Sequence, residues 1–143
     1  NNMIKIENRL DQSVKEIMTE EVFSVDVSEK ILDVQHLMTS KHIRHAPVME
    51  NGKMVGILSL TDLQRMNFSN VYGEDENSVD DVISNMFNAG TIMHKNPVTI
   101  DEESPISEVA KIFVEQEFHA LPVVKGDELT GIVTTTDVLK ILM

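Results

Sequence analysis

The chain has 143 residues, 41% of them apolar, and a formal net charge of −12, enough for one sizeable core or two small halves that share one. It contains no cysteine, which excludes disulfide frameworks, thiolate metal sites and cysteine nucleophiles and suits a reducing compartment. No run approaches the roughly 18 apolar residues of a membrane span, and residues 1–16 carry no apolar signal core, so the cytoplasm is the expected location.

In chain order, residues 1–13 form a neutral lead-in. Phe23-Ser24-Val25 then alternates like a short strand. Ser28 offers a helix N-cap ahead of Ile31, Val34, Leu37 and Met38 on one face. Ala46-Pro47-Val48-Met49 reads as an apolar strand, Asn51-Gly52 as a tight hairpin turn, and residues 54–59 as the return strand. That strand runs into a helix at Thr61-Asp62, where the carboxylate favours the helix start. The connector 67–89 has five acids and no Lys or Arg. Its first part, 67–77, is polar and reads as a mobile loop, whereas Ser78 could cap a helix carrying Val79, Val82, Ile83, Met86 and Phe87.

From residue 90 the same pattern returns. Residues 17–66 overlay 92–141 without a gap at an offset of 75, an internal repeat. Ile17/Ile92, Met18/Met93, Pro47/Pro122, Val48/Val123, Gly56/Gly131, Ile57/Ile132, Thr61/Thr136 and Asp62/Asp137 are among the identities. In the second copy Ser104 is the expected cap, Pro105 the first helical residue, and Ile106, Val109, Ala110, Ile112 and Phe113 the apolar face. Leu121 to Val124, the turn at Lys125-Gly126-Asp127-Glu128 and the strand 129–134 follow. The expected organisation is lead-in 1–13, copy one 14–66, connector 67–89 and copy two 90–143. The fold class is α/β (α+β), two β-α-β-β-α units packed sheet to sheet about an approximate two-fold axis, because one half cannot bury its own apolar face.

The acid excess opposes binding to nucleic acid or to an anionic membrane. It is compatible with a phosphate ligand, since local donors outweigh a distant screened field. His36, His42 and His94 share no metal-ligand spacing and read as solvent residues, so no metal site is expected. The nine methionines read mainly as core filler. No Gly-x-Ser-x-Gly elbow, P-loop or Rossmann glycine pattern occurs, and no catalytic residue is assigned.

Ile-Met at the head of each copy, the strands Ala46-Pro47-Val48 and Leu121-Pro122-Val123, and the closing runs 56–62 and 131–137 resemble a tandem pair of cystathionine β-synthase (CBS) domains, a Bateman module, here standing alone. The resemblance implies a regulatory, non-enzymatic module that binds an adenosine-containing molecule in clefts between the repeats, with AMP, ADP or ATP the expected ligand and no cofactor required. It would signal occupancy to a regulated partner. The resemblance implies one pocket of Ser24, Ile43, Arg44 and His45 with Ile132, Thr134, Thr136 and Asp137. It implies another of Thr99, Phe118, His119 and Ala120 with Ile57, Ser59, Thr61 and Asp62. Asp62 and Asp137 would accept from ribose hydroxyls. Arg44 and His45 occupy positions that hold phosphate in the nucleotide-sensing kinase subunit family, while Ala120 leaves the other pocket one basic group short. The bland readings stay open: Thr-Asp as a helix cap, Arg44 as a surface ion-pair residue, His45 and His119 as packing or solvent residues. The resemblance also implies a homodimer formed by the helices, and the alternative function is a ligand-free dimerisation or interaction module.

Overall fold

The computed structural model describes residues 2–66 and 86–143. The polar loop expected at 67–77 and most of the helix expected from Ser78 lie outside them. Chain order is α1 (Asn2–Leu10), a 3-10 turn (Val14–Glu16), β1 (Val25–Asp26), α2 (Ile31–Ser40), β2 (His45–Glu50), β3 (Lys53–Ser59) and α3 (Leu60–Arg65). After the connector come α4 (Ala89–Ile92), β4 (His94–Lys95), β5 (Ile100–Asp101), α5 (Ile106–Gln116), β6 (Ala120–Lys125), β7 (Glu128–Thr134), α6 (Thr135–Leu139) and a 3-10 turn (Lys140–Leu142). Each copy is thus a β-α-β-β-α unit of mixed α/β class.

The compact units are cut differently from the copies. One begins at Phe23 and ends at Pro97; the other joins the residues up to Val22 to Val98–Met143. Each copy's opening segment therefore folds with the body of the other copy. In the first-copy unit the sheet order is β1-β2-β3-β4. β1 runs parallel to β2 across the α2 crossover, β2 and β3 form a hairpin, and β4 adds antiparallel to β3 through Gly56↔Lys95 and Ile57↔His94. The second-copy unit has β5-β6-β7 with the same pairing, and a single bridge, Thr19↔Ile132, replaces the fourth strand.

The hairpin turns follow local chemistry. Asn51 and Gly52 have φ of +52° and +80°, the two left-handed residues of a type I′ turn. Gly126 alone, at +62°, serves the second hairpin.

The starts of α2 and α5 do not follow local chemistry. Ser28 donates its N–H and its hydroxyl to Asp26 instead of capping α2, and these bonds hold the Asp26 carboxyl below the usual carboxylate range. α2 begins at Ile31, whose N–H is taken by the Phe87 carbonyl at 3.2 Å. α5 begins at Ile106, after Pro105 rather than at it, and its first N–H is taken by the Gln12 carbonyl at 2.9 Å. Both opening segments thus cap a helix of the unit they join. Phe23 and Ser24 also stay outside β1, because the parallel pairing covers only Val25 and Asp26.

Each unit has its own core. In one, Val25, Val34, Ala46, Val48, Leu58 and Ala89 are buried together with Ile31, Met38, Leu60 and Leu63. In the other, Ile100, Val109, Leu121, Val123, Val133 and Val14 occupy the positions of those first six, shifted by the repeat offset. Ala89 and Val14 come from the opening segments and are fully buried.

The tightest contact is at the glycine of each return strand. A Cβ at Gly131 would stand 2.5 Å from Met18 Sδ and 2.9 Å from the Thr19 carbonyl. A Cβ at Gly56 would stand 2.8 Å from both Met93 Cγ and the His94 carbonyl. The backbone carbonyl cannot rotate aside, so Gly131→Ala and Gly56→Ala should each lower unfolding free energy by about 1–3 kcal/mol, the range for overpacking. Urea denaturation followed by circular dichroism checks this.

Candidate ligand-binding site

The duplicated closing motif ends at a helix start in each copy, but its carboxylates do different things. In the second copy Asp137 accepts from the Thr134 N–H at 2.9 Å, and Thr134 Oγ1 accepts from the Asp137 N–H at 3.2 Å, a complete capping box. In the first copy Ser59 makes no side-chain cap bond. Asp62 turns instead to His94, with Oδ2 at 3.1 Å from Nε2, and Arg65 Nη1 stands 3.8 Å from Oδ1.

The cause lies on the neighbouring strand. β4 pairs His94 with Ile57, five residues before Asp62. The equivalent position in the other unit, opposite Ile132, is Thr19, which offers a short hydroxyl in place of an imidazole. His94, read from sequence as a solvent residue, is exposed but paired. The signal that could have found it is its place directly after Ile92-Met93, on the segment that adds to the sheet edge.

Arg44 lies beside the same helix start. Its Nη2 donates to Thr61 Oγ1 at 2.7 Å, and its carbonyl accepts from the Leu60 N–H at 2.8 Å. Arg44, Thr61, Asp62, Arg65 and His94 therefore gather at one helix start of the first-copy unit, with His94 and Arg65 on the Asp62 carboxylate and Arg44 on the adjacent Thr61. The Asp62 side chain is 42% exposed and that of His94 72%, so these bonds are water-accessible and worth at most about 1 kcal/mol each. They orient the groups without fixing them rigidly.

The remaining expected residues lie on the elements that sequence assigned, or just before them. Ser24 is exposed ahead of β1, Ile43 packs half-buried against the first core, and His45 opens β2. Ile57 is half-buried on β3, opposite His94. In the other unit Thr99, Phe118 and His119 are exposed, Ala120 opens β6 buried, Ile132 is buried on β7, and Thr136 is exposed in α6. Among the side-chain contacts that join expected residues are Arg44 with Thr61 and Thr134 with Asp137. The first of these links members of the two separately expected sets.

The description "CBS domain" applies to the family whose profile matches residues 14–67 and 89–143, and the chain belongs to the CBS domain family. A CBS domain-containing protein of Dictyostelium discoideum is 29% identical over 132 residues, covering 91% of this chain and 90% of its own length. In three relatives from Methanocaldococcus jannaschii, by contrast, the chain spans 39%, 49% and 43% of the length. Among solved structures, the CBS domain of a CBS domain-containing membrane protein from Sphaerobacter thermophilus superposes with a TM-score of 0.80 at 24% identity, covering 99% of this chain and 94% of that one. CBSX2 in complex with AMP superposes with a TM-score of 0.73 at 25% identity, covering 90% and 94%. Among the described residues no helix is long and apolar enough to cross a membrane, and no cluster of three or more His, Cys, Asp or Glu could hold a metal ion.

The difference in capping is measurable as stability. Thr134→Ala removes a bonded N-cap and should cost about 1 kcal/mol, whereas Ser59→Ala, at a cap without a side-chain bond, should cost only a few tenths. Parallel urea titrations compare the two.

Proposed function

We propose that this protein is a non-catalytic sensory module that binds an adenosine-containing ligand and passes its occupancy to a partner protein, in the cytoplasm. The observation that carries the reading is the 2.7 Å hydrogen bond from Arg44 to Thr61, which sets a guanidinium at the helix start where Asp62 is the next residue. A ribose diol is matched by a carboxylate, which accepts from both hydroxyls, and a phosphate by a guanidinium. We therefore assign the ribose to Asp62, the phosphate to Arg44 and a wall for the base to Ile57. This takes Arg44 together with Thr61 and Asp62 rather than with Asp137. AMP is the first candidate, supported by the AMP complex of CBSX2; ADP and ATP share the same groups. No cofactor is required. Signalling would work by differential affinity, the ligand favouring whichever conformation of the chain binds it more tightly.

Calorimetry with AMP and adenosine tests the assignment. Asp62→Ala should weaken both, by about 1.5–3 kcal/mol, the usual loss for a charged hydrogen-bond partner. Arg44→Ala should weaken AMP and leave adenosine nearly unchanged. Equal loss of both ligands in Arg44→Ala would mean that the guanidinium supports the fold and not the phosphate. Wild-type protein that binds neither ligand would favour a ligand-free interaction module.

Association is supported by apolar surface on helices of the second-copy unit. Val114 on α5 is 81% exposed, and Met3 and Ile4 on α1 are 67% and 55% exposed, side chains that a partner copy would cover. Light scattering at micromolar concentration should give a homodimer, twice the 16.1 kDa of the chain.

A further inference from the structure

The same motif meets two fates in one chain, and the residue that separates them is His94. Asp62 sits in the first turn of α3, only six residues long and without a side-chain cap. Left to local chemistry, its carboxylate would fold back on the Ser59 N–H, as Asp137 folds back on the Thr134 N–H. His94 intercepts it from 32 residues away in sequence. The imidazole is well placed to do so because its backbone is not free: β4 is paired to β3 at Gly56 and Ile57, and Met93 lies against Gly56. The sheet edge, more than the short helix, sets where the carboxylate points.

The consequence concerns availability. Asp137 has one oxygen committed to a backbone donor at a helix start. Gripping a diol with both oxygens would open the capping box and leave that donor unpaired. Asp62 has its Oδ2 on an exposed imidazole, a bond that a ribose hydroxyl can share, since the carboxylate keeps further lone pairs, without orphaning a backbone group.

Resting on the adenosine reading of this site, we propose that His94 is a positioning residue for Asp62, holding its carboxylate off the helix cap and open to a ribose, so that the chain takes one adenosine ligand, at the first copy, while Asp137 serves as a cap. The charged group that His94 meets is Asp62, which Arg65 also approaches; its own strand carries Lys95, and Arg44 bonds Thr61 next to Asp62 in sequence.

Calorimetry on the full chain, with adenosine and with AMP, reads both stoichiometry and affinity. Wild type should bind one molecule per chain. His94→Ala should weaken adenosine and AMP alike, by about three- to fivefold, the most that an exposed pair worth about 1 kcal/mol can supply. The thermal unfolding midpoint should hardly move, because the pair is exposed. His94→Gln, which keeps an N–H donor of similar reach, should recover most of the affinity, which a merely structural role would not. Wild-type affinity in His94→Ala, failure of Gln to rescue, or two equivalent sites per chain would each overturn the proposal while leaving adenosine binding intact. Wild type that binds neither adenosine nor AMP would overturn this proposal together with the ligand reading.

Discussion

In both units a methionine side chain lies over a glycine of the return strand, Met93 on Gly56 and Met18 on Gly131, so closely that the strand has no room for a Cβ. That contact lets an opening segment dock on a sheet edge, and three things depend on it. The docked segment buries Ala89 or Val14 in the core. It supplies the carbonyl that accepts the first N–H of α2 or α5. It also covers an edge that would otherwise offer unpaired backbone groups to another chain.

Because each opening segment precedes one copy and folds with the other, neither copy is a self-sufficient folding unit. The backbone bonds make the reciprocity concrete. Ala89 donates to Glu29 and Gly90 to Val27, while Val14 donates to Ser104 and Lys15 to Glu102, each pair shifted by 75 residues. A break in either segment would remove part of a core, a helix cap and a sheet edge together. In the first-copy unit it would also remove the imidazole that faces Asp62.

Duplication of a motif did not duplicate its chemistry. Gly-x-x-[Ser/Thr]-x-Thr-Asp closes both copies, but the neighbouring edge carries His94 in one unit and Thr19 in the other. One carboxylate is drawn into a polar patch with Arg44 and Arg65, and the other completes a capping box. The patch is held by exposed, weak bonds between distant residues; the capping box is local.

The sequence alone determined the repeat and its offset, the β-α-β-β-α order, both hairpin turns and the buried faces of α2 and α5. Each of these depends on residues close together in the chain: Asn51-Gly52 for a left-handed turn, or Ile31, Val34 and Met38 for one helix face. It also placed Arg44, Thr61 and Asp62 among the candidates for the site. Tertiary structure alone decided which sheet receives each opening segment, and so which residues meet. Ser28 and Ser104 looked like helix caps, but distant carbonyls of Phe87 and Gln12 do that work. α2 and α5 give way to residues in the left-handed region, His42 and Glu117, where composition alone would suggest glycine. His94 carried only the indirect signal of its place after Ile92-Met93, because its partner lies 32 residues away. Periodicity and turn chemistry report what neighbours along the chain can do; a sheet edge brings together residues that no local pattern relates.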